Sequence, residues 1–393
     1  MSDVYGHATI TIAASRAADC TEGFLSDRTI PDYVPIPIQT SGHSGDIYAF
    51  VLPRKYAADG ARCNRLEDEP LSSRGWAFQE RYLSPRTLHF GHRQTFFECL
   101  TSFVAEDFCS VGRNQPGVRQ MMVRSSWNHA WPKVVEEYTR RKLSFPEDKL
   151  PALAGLAHRL GEGSNESPEE GNRAGKPVTE YLAGLRWRRV IADLCWSLGR
   201  HEDFGERPPL YRAPSWSWVA VDGQVDCHQT YEQPLAIACG AHIELNTAES
   251  PLGKVNGGWL HLQASRLEPR SPKATPDSPF PSFFEFLNAD PSIYMHPSWD
   301  AESYTLTMEQ ELLVVPLAWN KYLADQERLF VFGPFCLILT PQDHQIPGYQ
   351  HIPGFRRVGS GLMQTYNPKP LVQFAERLTI AKDNGELQDM LLL

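Results

Sequence analysis

The sequence predicts an α+β protein: a partial α/β region first, then a helical middle segment, then a mostly-β C-terminal region. Three observations carry that expectation. Residues 71–99, LSSRGWAFQERYLSPRTLHFGHRQTFFEC, read as a helix followed by two short strands. Between 127 and 198, three stretches place apolar residues at helical spacing. From Tyr211 onward, short apolar runs alternate with turn residues and helical periodicity is weak. The expected regions are 1–104, 105–205 and 206–393.

Taken in order, Val4 to Ala14 (VYGHATITIAA) opens on a helical turn or loop and becomes a strand, because Thr9 to Ile12 alternates polar and apolar residues. Residues 15–70 read as irregular, since Pro31, Pro35, Pro37, Pro53 and Pro70 block long helices. DIYAFVL at 46–52 is a strand candidate. Ser72 and Ser73 can accept hydrogen bonds from the first free N–H groups of a helix over Gly75 to Leu83. Ser84-Pro85 ends it, because the residue before a proline is pushed out of helical geometry. Strands over 87–90 and 95–99 follow, joined by a turn at 91–94. Residues 104–120 read as a loop.

Trp127 to Lys142 reads as an amphipathic helix with Trp127, Trp131, Val134, Val135 and Tyr138 on one stripe. Such a stripe is core far more often than a cofactor box. Pro146 to Leu160 is a second helical segment, and the Gly/Glu/Ser-rich stretch 161–177 reads as a mobile loop. Tyr181 to Leu198 reads as a third helix built on Leu182, Leu185, Val190, Leu194 and Leu198. In YRAPSWSWVAVDGQV, strict alternation predicts a strand with Ser215 and Ser217 on its outward face and a turn at Asp222-Gly223. Further strands are expected at 236–245, 258–266, 311–318, 329–340 and 354–364, with a loose Pro/Ser-rich insertion at 268–282.

Composition narrows the function classes. The 393 residues have room for two or three domains. A hydrophobic content of 41% and a charged content of 22% are those of a soluble globular protein. Lys plus Arg number 38 against 47 Asp plus Glu, a net charge of -9, and no basic run is interleaved with aromatics; no nucleic-acid partner is expected. No apolar stretch approaches the length of a membrane span. MSDVYGHATITIAAS lacks the basic leader of a signal peptide. Eight cysteines are scattered without a C-x-x-C pair or zinc spacing, so reduced thiols and a cytoplasmic location are expected.

The candidate site lies on the 75–83 helix. Gln79 and Glu80 fall between Trp76 and Leu83, which are seven apart and share a face. A Gln-Glu pair buried there needs partners, and Arg74, Arg81 and Arg86 are the nearest. The pair is either part of a structural ion network or one wall of a pocket in which Glu80 serves as an acid/base. His89 and His92 lack an identifiable third ligand, so no metal is expected. Cys99 follows two phenylalanines and reads as a buried apolar thiol rather than a nucleophile. Ser215 and Ser217 are not in a nucleophile elbow, and there is no P-loop or G-x-G-x-x-G fingerprint, so no cofactor is implied.

Three separated stretches together resemble one family. VYGHATITIAAS with Glu22-Gly23, and RGWAFQERYLSPRTLHFG with FFEC, are similar to segments of the fungal heterokaryon incompatibility (HET) domain; the second matches its closing run RGW-x-x-QE-x-x-LS-x-R. LPALAGLA, YLAGLRW, YRAPSWSWVAVDG and FRRVG resemble the region that follows the domain in many such proteins. The resemblance places Arg74, Trp76, Gln79, Glu80, Ser84 and Arg86 in the motif. The family's SYxWG and WIDxLCIxQ motifs do not occur, so the chain reads as lacking the N-terminal half of the domain, with 1–104 as its C-terminal half. The HET domain has been likened to TIR domains, some of which cleave NAD; residues of the missing half cannot be carried over. The resemblance implies a role in fungal non-self recognition and cell-death signalling. Two other readings are a HET-like enzyme acting on a small molecule in secondary metabolism and a non-enzymatic module that binds other proteins.

Overall fold

The computed structural model describes residues 1–28, 34–40, 42–49, 66–106, 127–162, 180–199, 206–228, 233–270, 283–287, 289–300, 311–319 and 331–393. The chain divides into two units: Met1–Ala130, Arg141–Leu143 and Gly155–Gly163 form the first, and Trp131–Arg140, Ser144–Ala154 and Ser164–Leu393 the second. The fold is α+β.

In the first unit, helix α1 (Ser2–Gly6) precedes strand β1 (Thr11–Ala13). Residues 34–49 are more regular than their prolines imply: β2 (Val34–Thr40) and β3 (His43–Ala49) form a hairpin, with Ile36 opposite Ile47. Pro35 and Pro37 are tolerated because a two-stranded ribbon has only edge strands. The expected strand at 46–52 thus begins earlier, and residues 50–52 lie outside the described residues.

Helix α2 (Gly75–Leu83) has the expected bounds, and β4 (Arg86–Phe90), β5 (Thr95–Cys99) and β6 (Phe103–Ala105) follow. The cap differs from expectation. Ser72 and Ser73 lie in a 3-10 turn, where their hydroxyls donate to the Leu66 and Pro70 carbonyls, and Arg74 is the N-cap. The four strands form a sheet in the order β1-β4-β5-β6; β1 runs parallel to β4, with Ile12 beside Leu88, and the other pairs are antiparallel. Among the described residues β1 is an edge strand, and Ile10 just before it and Ile12 within it are 45% and 52% exposed.

Helices α3 (Trp127–Thr139) and α4 (Pro151–Glu162) correspond to the expected amphipathic helix and the second helical segment, whose first residues, Pro146–Asp148, form a 3-10 turn. On α3, Trp131, Val134, Val135 and Tyr138 are buried, as their spacing requires. Most of the expected mobile loop at 161–177 lies outside the described residues; Gly161 and Glu162 are the end of α4.

In the second unit the expected helix at 181–198 is absent. Strands β7 (Tyr181–Leu182) and β8 (Leu185–Arg186) form a tight hairpin, a 3-10 turn spans Trp187–Arg189, and only α5 (Val190–Asp193) is helical before β9 (Trp196–Leu198). Ala183 and Gly184 both adopt positive φ, 45° and 100°, which gives the two-residue turn that suits a hairpin. Gly184 sits against the Trp218 indole, where an added Cβ would lie 2.8 Å from the ring. Its carbonyl accepts hydrogen bonds from both Trp131 Nε1 (2.8 Å) and Trp218 Nε1 (3.1 Å). Burying two indoles on one carbonyl outweighs the helical spacing of the leucines.

The SWSW segment is likewise not a strand. It is a turn running into a 3-10 helix at Trp218–Ala220, with both serines buried. Ser217 Oγ accepts the Val219 N–H at 3.0 Å and donates to the Ala183 carbonyl. The alternation arises because both tryptophans are core and both hydroxyls bind backbone.

The remaining strands build a nine-stranded sheet. Its main path is β11 (Gln233–Pro234), β16 (Leu313–Trp319), β17 (Val331–Pro341), β18 (Gly354–Thr365), β19 (Gln388–Leu392), β13 (Val255–Ala264) and β12 (Ile237–Leu245). Strand β15 (Tyr294–Trp299) also pairs with β18, and β14 (Phe284–Glu285) pairs with β15. A separate pair joins β9 to β10 (Val225–Cys227). All five expected strands are present. Helical periodicity is not weak throughout this region, however: α6 (Pro368–Asp383) packs Leu371, Phe374, Ala375 and Leu378 into the main core. The Asn367 side chain caps it by accepting the Lys369 N–H, and Pro368 occupies the first turn.

Candidate functional site

Helix α2 separates the two residues that its sequence brings together. Gln79 is 1% exposed, and its Oε1 accepts the Gly155 N–H of α4 at 3.0 Å. A Cβ on Gly155 would lie 2.7 Å from that oxygen, so the approach needs glycine. Arg159 donates to the Leu83 carbonyl at 2.7 Å and satisfies one of the last backbone acceptors of α2. Gln79 is therefore a structural tie between α2 and α4.

Glu80 is only partly buried and faces α1, with its carboxylate near the Tyr5 hydroxyl. Burial raises the Tyr5 pKa, and the Glu80 charge raises it further. Ser84, fully buried, donates to the Glu80 carbonyl at 2.7 Å and lies 2.8 Å from Thr11 Oγ1 of β1. Arg86 is exposed and reaches the Thr9 carbonyl at 3.5 Å. Arg74 is exposed at the helix start, where its backbone bridges to Lys142, and Trp76 is partly buried.

Of the three arginines flanking the pair, Arg81 reaches a different acid. Its Nε donates to Glu98 Oε2 of β5 at 2.7 Å, and Nη1 is 3.7 Å from Glu67. Burial alone would lower its pKa, but Glu98 and Glu67 raise it, so the guanidinium stays charged. His89 Nε2 of β4 lies 3.4 Å from the same Glu98 oxygen, and His89 Nδ1 is 3.2 Å from Ser15 Oγ. Ser15, His89 and Glu98 are each less than 4% exposed. The cluster is a buried clasp between α2 and its sheet, in which the Arg81 guanidinium satisfies the Glu98 oxygen. Sequence reasoning missed it. Thr87 and Glu98 are register partners, so Glu98 and His89 share the inward face; only the strand pairing reveals it.

Two further acid–base contacts surround this stretch. His92 is half-exposed, with its backbone N–H at 2.8 Å and its Nδ1 at 2.7 Å from the two Glu69 oxygens. Cys99 is not the buried apolar thiol expected. It is partly exposed, with Sγ 3.1 Å from Ser102 Oγ and 3.4 Å from Thr101 Oγ1. Burial alone would raise its pKa, but those hydroxyls and the N–H groups of both residues bring it down to about 7. Among the described residues, no group of three or more His, Cys, Asp or Glu side chains is arranged to hold a metal ion. None of their helices is long and apolar enough to cross a membrane.

The buried cations of the second unit include Arg357 and Lys149, which sequence reasoning also missed. Arg357 of β18 is 0% exposed; it donates to Asp300 (2.9 Å) and to the Leu194 and Trp196 carbonyls, and it stacks 3.3 Å over the Trp196 ring. Its backbone N–H donates to Ser215 Oγ at 3.0 Å, and that hydroxyl donates to the Leu393 carbonyl. The SWSW and FRRVG segments thus meet at one ion pair. Lys149, 5% exposed, donates to the Trp218 and Val221 carbonyls and lies 3.8 Å from Asp222, which Arg212 also binds at 2.7 Å. Burial and the Arg212 charge push its pKa down to about 7 against the pull of Asp222.

Residues 1–80 match the sequence model of the family described as Heterokaryon incompatibility protein (HET). No curated protein and no solved structure matches the chain. The matched residues take in Arg74, Trp76, Gln79 and Glu80 and stop short of Ser84 and Arg86.

Proposed function

With the HET match over residues 1–80 as premise, we propose that this chain is a heterokaryon-incompatibility-type protein acting in fungal non-self recognition and cell-death signalling. Its working surface is the one that α1 and α2 present around Glu80. The observation that carries this reading is a division of labour inside the matched motif. Gln79 is consumed by packing, whereas the adjacent Glu80 keeps a partly open carboxylate beside Tyr5, with Arg74 exposed at the start of the same helix. A partly open carboxylate beside a hydroxyl is a group that can orient a ligand at such a surface. Induced expression in a filamentous fungus tests it. Growth arrest is expected with the natural chain and is lost in Glu80→Ala and Arg74→Ala variants that keep their circular dichroism spectrum. Arrest unchanged by both substitutions removes the site assignment, and no arrest by the natural chain removes the cell-death role.

A protein-interaction role is favoured by a separate observation. Val34, Ile36 and Ile47 lie on one face of the β2–β3 hairpin and are each about half-exposed or more, with 59%, 49% and 55% of their surface open. A two-stranded ribbon carrying such a surface is marginal alone and gains from a partner. If the hairpin binds a protein partner, Ile36→Lys with Ile47→Lys abolishes growth arrest with Glu80 intact; persistence of the arrest in that variant counts against an interaction role.

A further inference from the structure

One outer face of the nine-stranded sheet carries an aromatic strip that neither the HET match nor the α2 surface involves. Leu260, Leu262 and Ala264 of β13 are buried, so Trp259, His261 and Gln263 between them point away from the core. His242 of β12 pairs with Trp259, and Asp389 of β19 pairs with Gln263. Tyr349, from the segment joining β17 to β18, folds onto the same face, fixed by a turn in which Gly348 takes φ 83°. The rings follow one another. His242 and Trp259 have centroids 6.1 Å apart, Trp259 and Tyr349 4.6 Å, and Tyr349 and His261 5.6 Å. Trp259 and Tyr349 are partly exposed and His242 is exposed.

The strip ends on a positioned carboxylate. His261 Nε2 lies 2.7 Å from Asp389 Oδ1, and Gln263 Nε2 donates to the same oxygen at 3.0 Å. The Asp389 side chain is 46% exposed. Burial raises its pKa, but the contacts to His261 and Gln263 and the charges of His261 and His351 lower it, so it is ionised at neutral pH. A half-open carboxylate held by two neighbours is an acceptor prepared for donors from outside.

We propose that this face binds an uncharged oligosaccharide, with sugar rings stacked on Trp259 and Tyr349 and hydroxyls bonded to Asp389 and Gln263. The competing ligand classes fit less well. Rings 4.6 Å apart touch, leaving no gap between them for an ammonium group. The half-open Asp389 carboxylate repels a phosphate placed against it at the end of the strip. A proline-rich peptide would stack on the rings, but its prolines have no N–H for the carboxylate. A sugar meets both ends of the strip. Its C–H face is apolar, and its neighbouring hydroxyls both donate and accept, matching the carboxylate and the second amide N–H of Gln263.

Titration calorimetry of the full chain with laminarihexaose, chitohexaose, maltohexaose and xylohexaose tests the proposal. Saturable binding is expected with at least one of these four. Trp259→Ala and Asp389→Asn should each weaken it by about tenfold or more, as loss of a central contact does. Tyr349→Ala, in the connecting segment rather than in a strand, replaces Trp259→Ala if that variant unfolds. The proposal is overturned if none of the four binds up to about millimolar concentration. It is equally overturned if binding survives Asp389→Asn and the ring substitution at full strength, or if AMP binds with the same dependence on those residues and the sugars do not.

Discussion

Replacing Lys149 by methionine isolates the cost of an ammonium buried under the Trp218 indole. The amine's ordinary pKa is 10.5, and in the folded chain it is about 7, a difference of about 3.5. At about 1.4 kcal/mol for each pH unit, the charged form costs the fold on the order of 5 kcal/mol. The sign follows from proton counting. Below about pH 7 the folded and unfolded chains both carry the proton, and the penalty is present in full. Between about 7 and 10.5 the unfolded chain still binds the proton and the folded chain does not, so stability rises with pH. Methionine removes the titration and keeps most of the packing volume. It leaves the Trp218 and Val221 carbonyls without this donor, an offset of about 1–3 kcal/mol that does not vary with pH. Urea unfolding followed by tryptophan fluorescence at several pH values gives both stabilities. The stability of the natural chain minus that of Lys149→Met should be flat below about pH 6.5 and climb by about 1.4 kcal/mol per pH unit between about 7.5 and 9.5. A difference that stays constant over that range refutes the reasoning.

Other substitutions address neighbouring claims. Arg357→Met removes the closer of the two arginines paired with the buried Asp300, leaving Arg207 at 4.0 Å, and should cost about 3–5 kcal/mol, and a second change, Asp300→Asn, should recover part of it; urea midpoints no different from those of the natural chain would contradict the assignment. Cys99, with its thiol held at about 7, should be alkylated by iodoacetamide at neutral pH well before the buried Cys195 and Cys336, and Ser102→Ala should slow it; peptide mass mapping reads the order, and an unchanged rate in Ser102→Ala would remove the hydroxyl's role. Gly155→Ala should push Gln79 off its partner at a cost of about 1–3 kcal/mol. Adding Gln79→Ala should make the glycine change far milder, and a cost undiminished in that background would show that the contact is not the cause.

How far the sequence discloses this molecule depends on where each residue's partner lies. Helix α2 and the β4–β5 hairpin were legible because Ser84-Pro85 and the Gly91–Gln94 turn set their bounds locally. The stripe on α3 was legible for the same reason: periodicity alone selects Trp131, Val134 and Tyr138. Residues 181–198 misled because their leucines do fall at helical spacing, while the decisive contacts, Trp131 and Trp218 on the Gly184 carbonyl, come from 53 and 34 residues away. The SWSW alternation imitated a strand for the reason that its serines bind backbone from Ala183, Arg357 and Leu393. Helix α6 carries ordinary helix signals that the weak periodicity of the surrounding region masks: Asn367-Pro368 and the spacing of Leu371, Phe374, Ala375 and Leu378. Within the candidate site, the motif pointed to the right helix. It could not show that Gln79 faces α4 and Glu80 faces α1, nor that Arg81 is engaged by Glu98.

In the proposed function Glu80 acts at a surface while Glu98 holds the fold. Colony survival after induced expression, measured beside thermal melting for Glu80→Gln and Glu98→Gln, tests it most directly. Glu80→Gln is expected to restore survival with an unchanged melting temperature, whereas Glu98→Gln restores it only together with a clear drop in melting temperature. A Glu80→Gln chain that arrests growth as strongly as the natural one, at equal abundance, would contradict it.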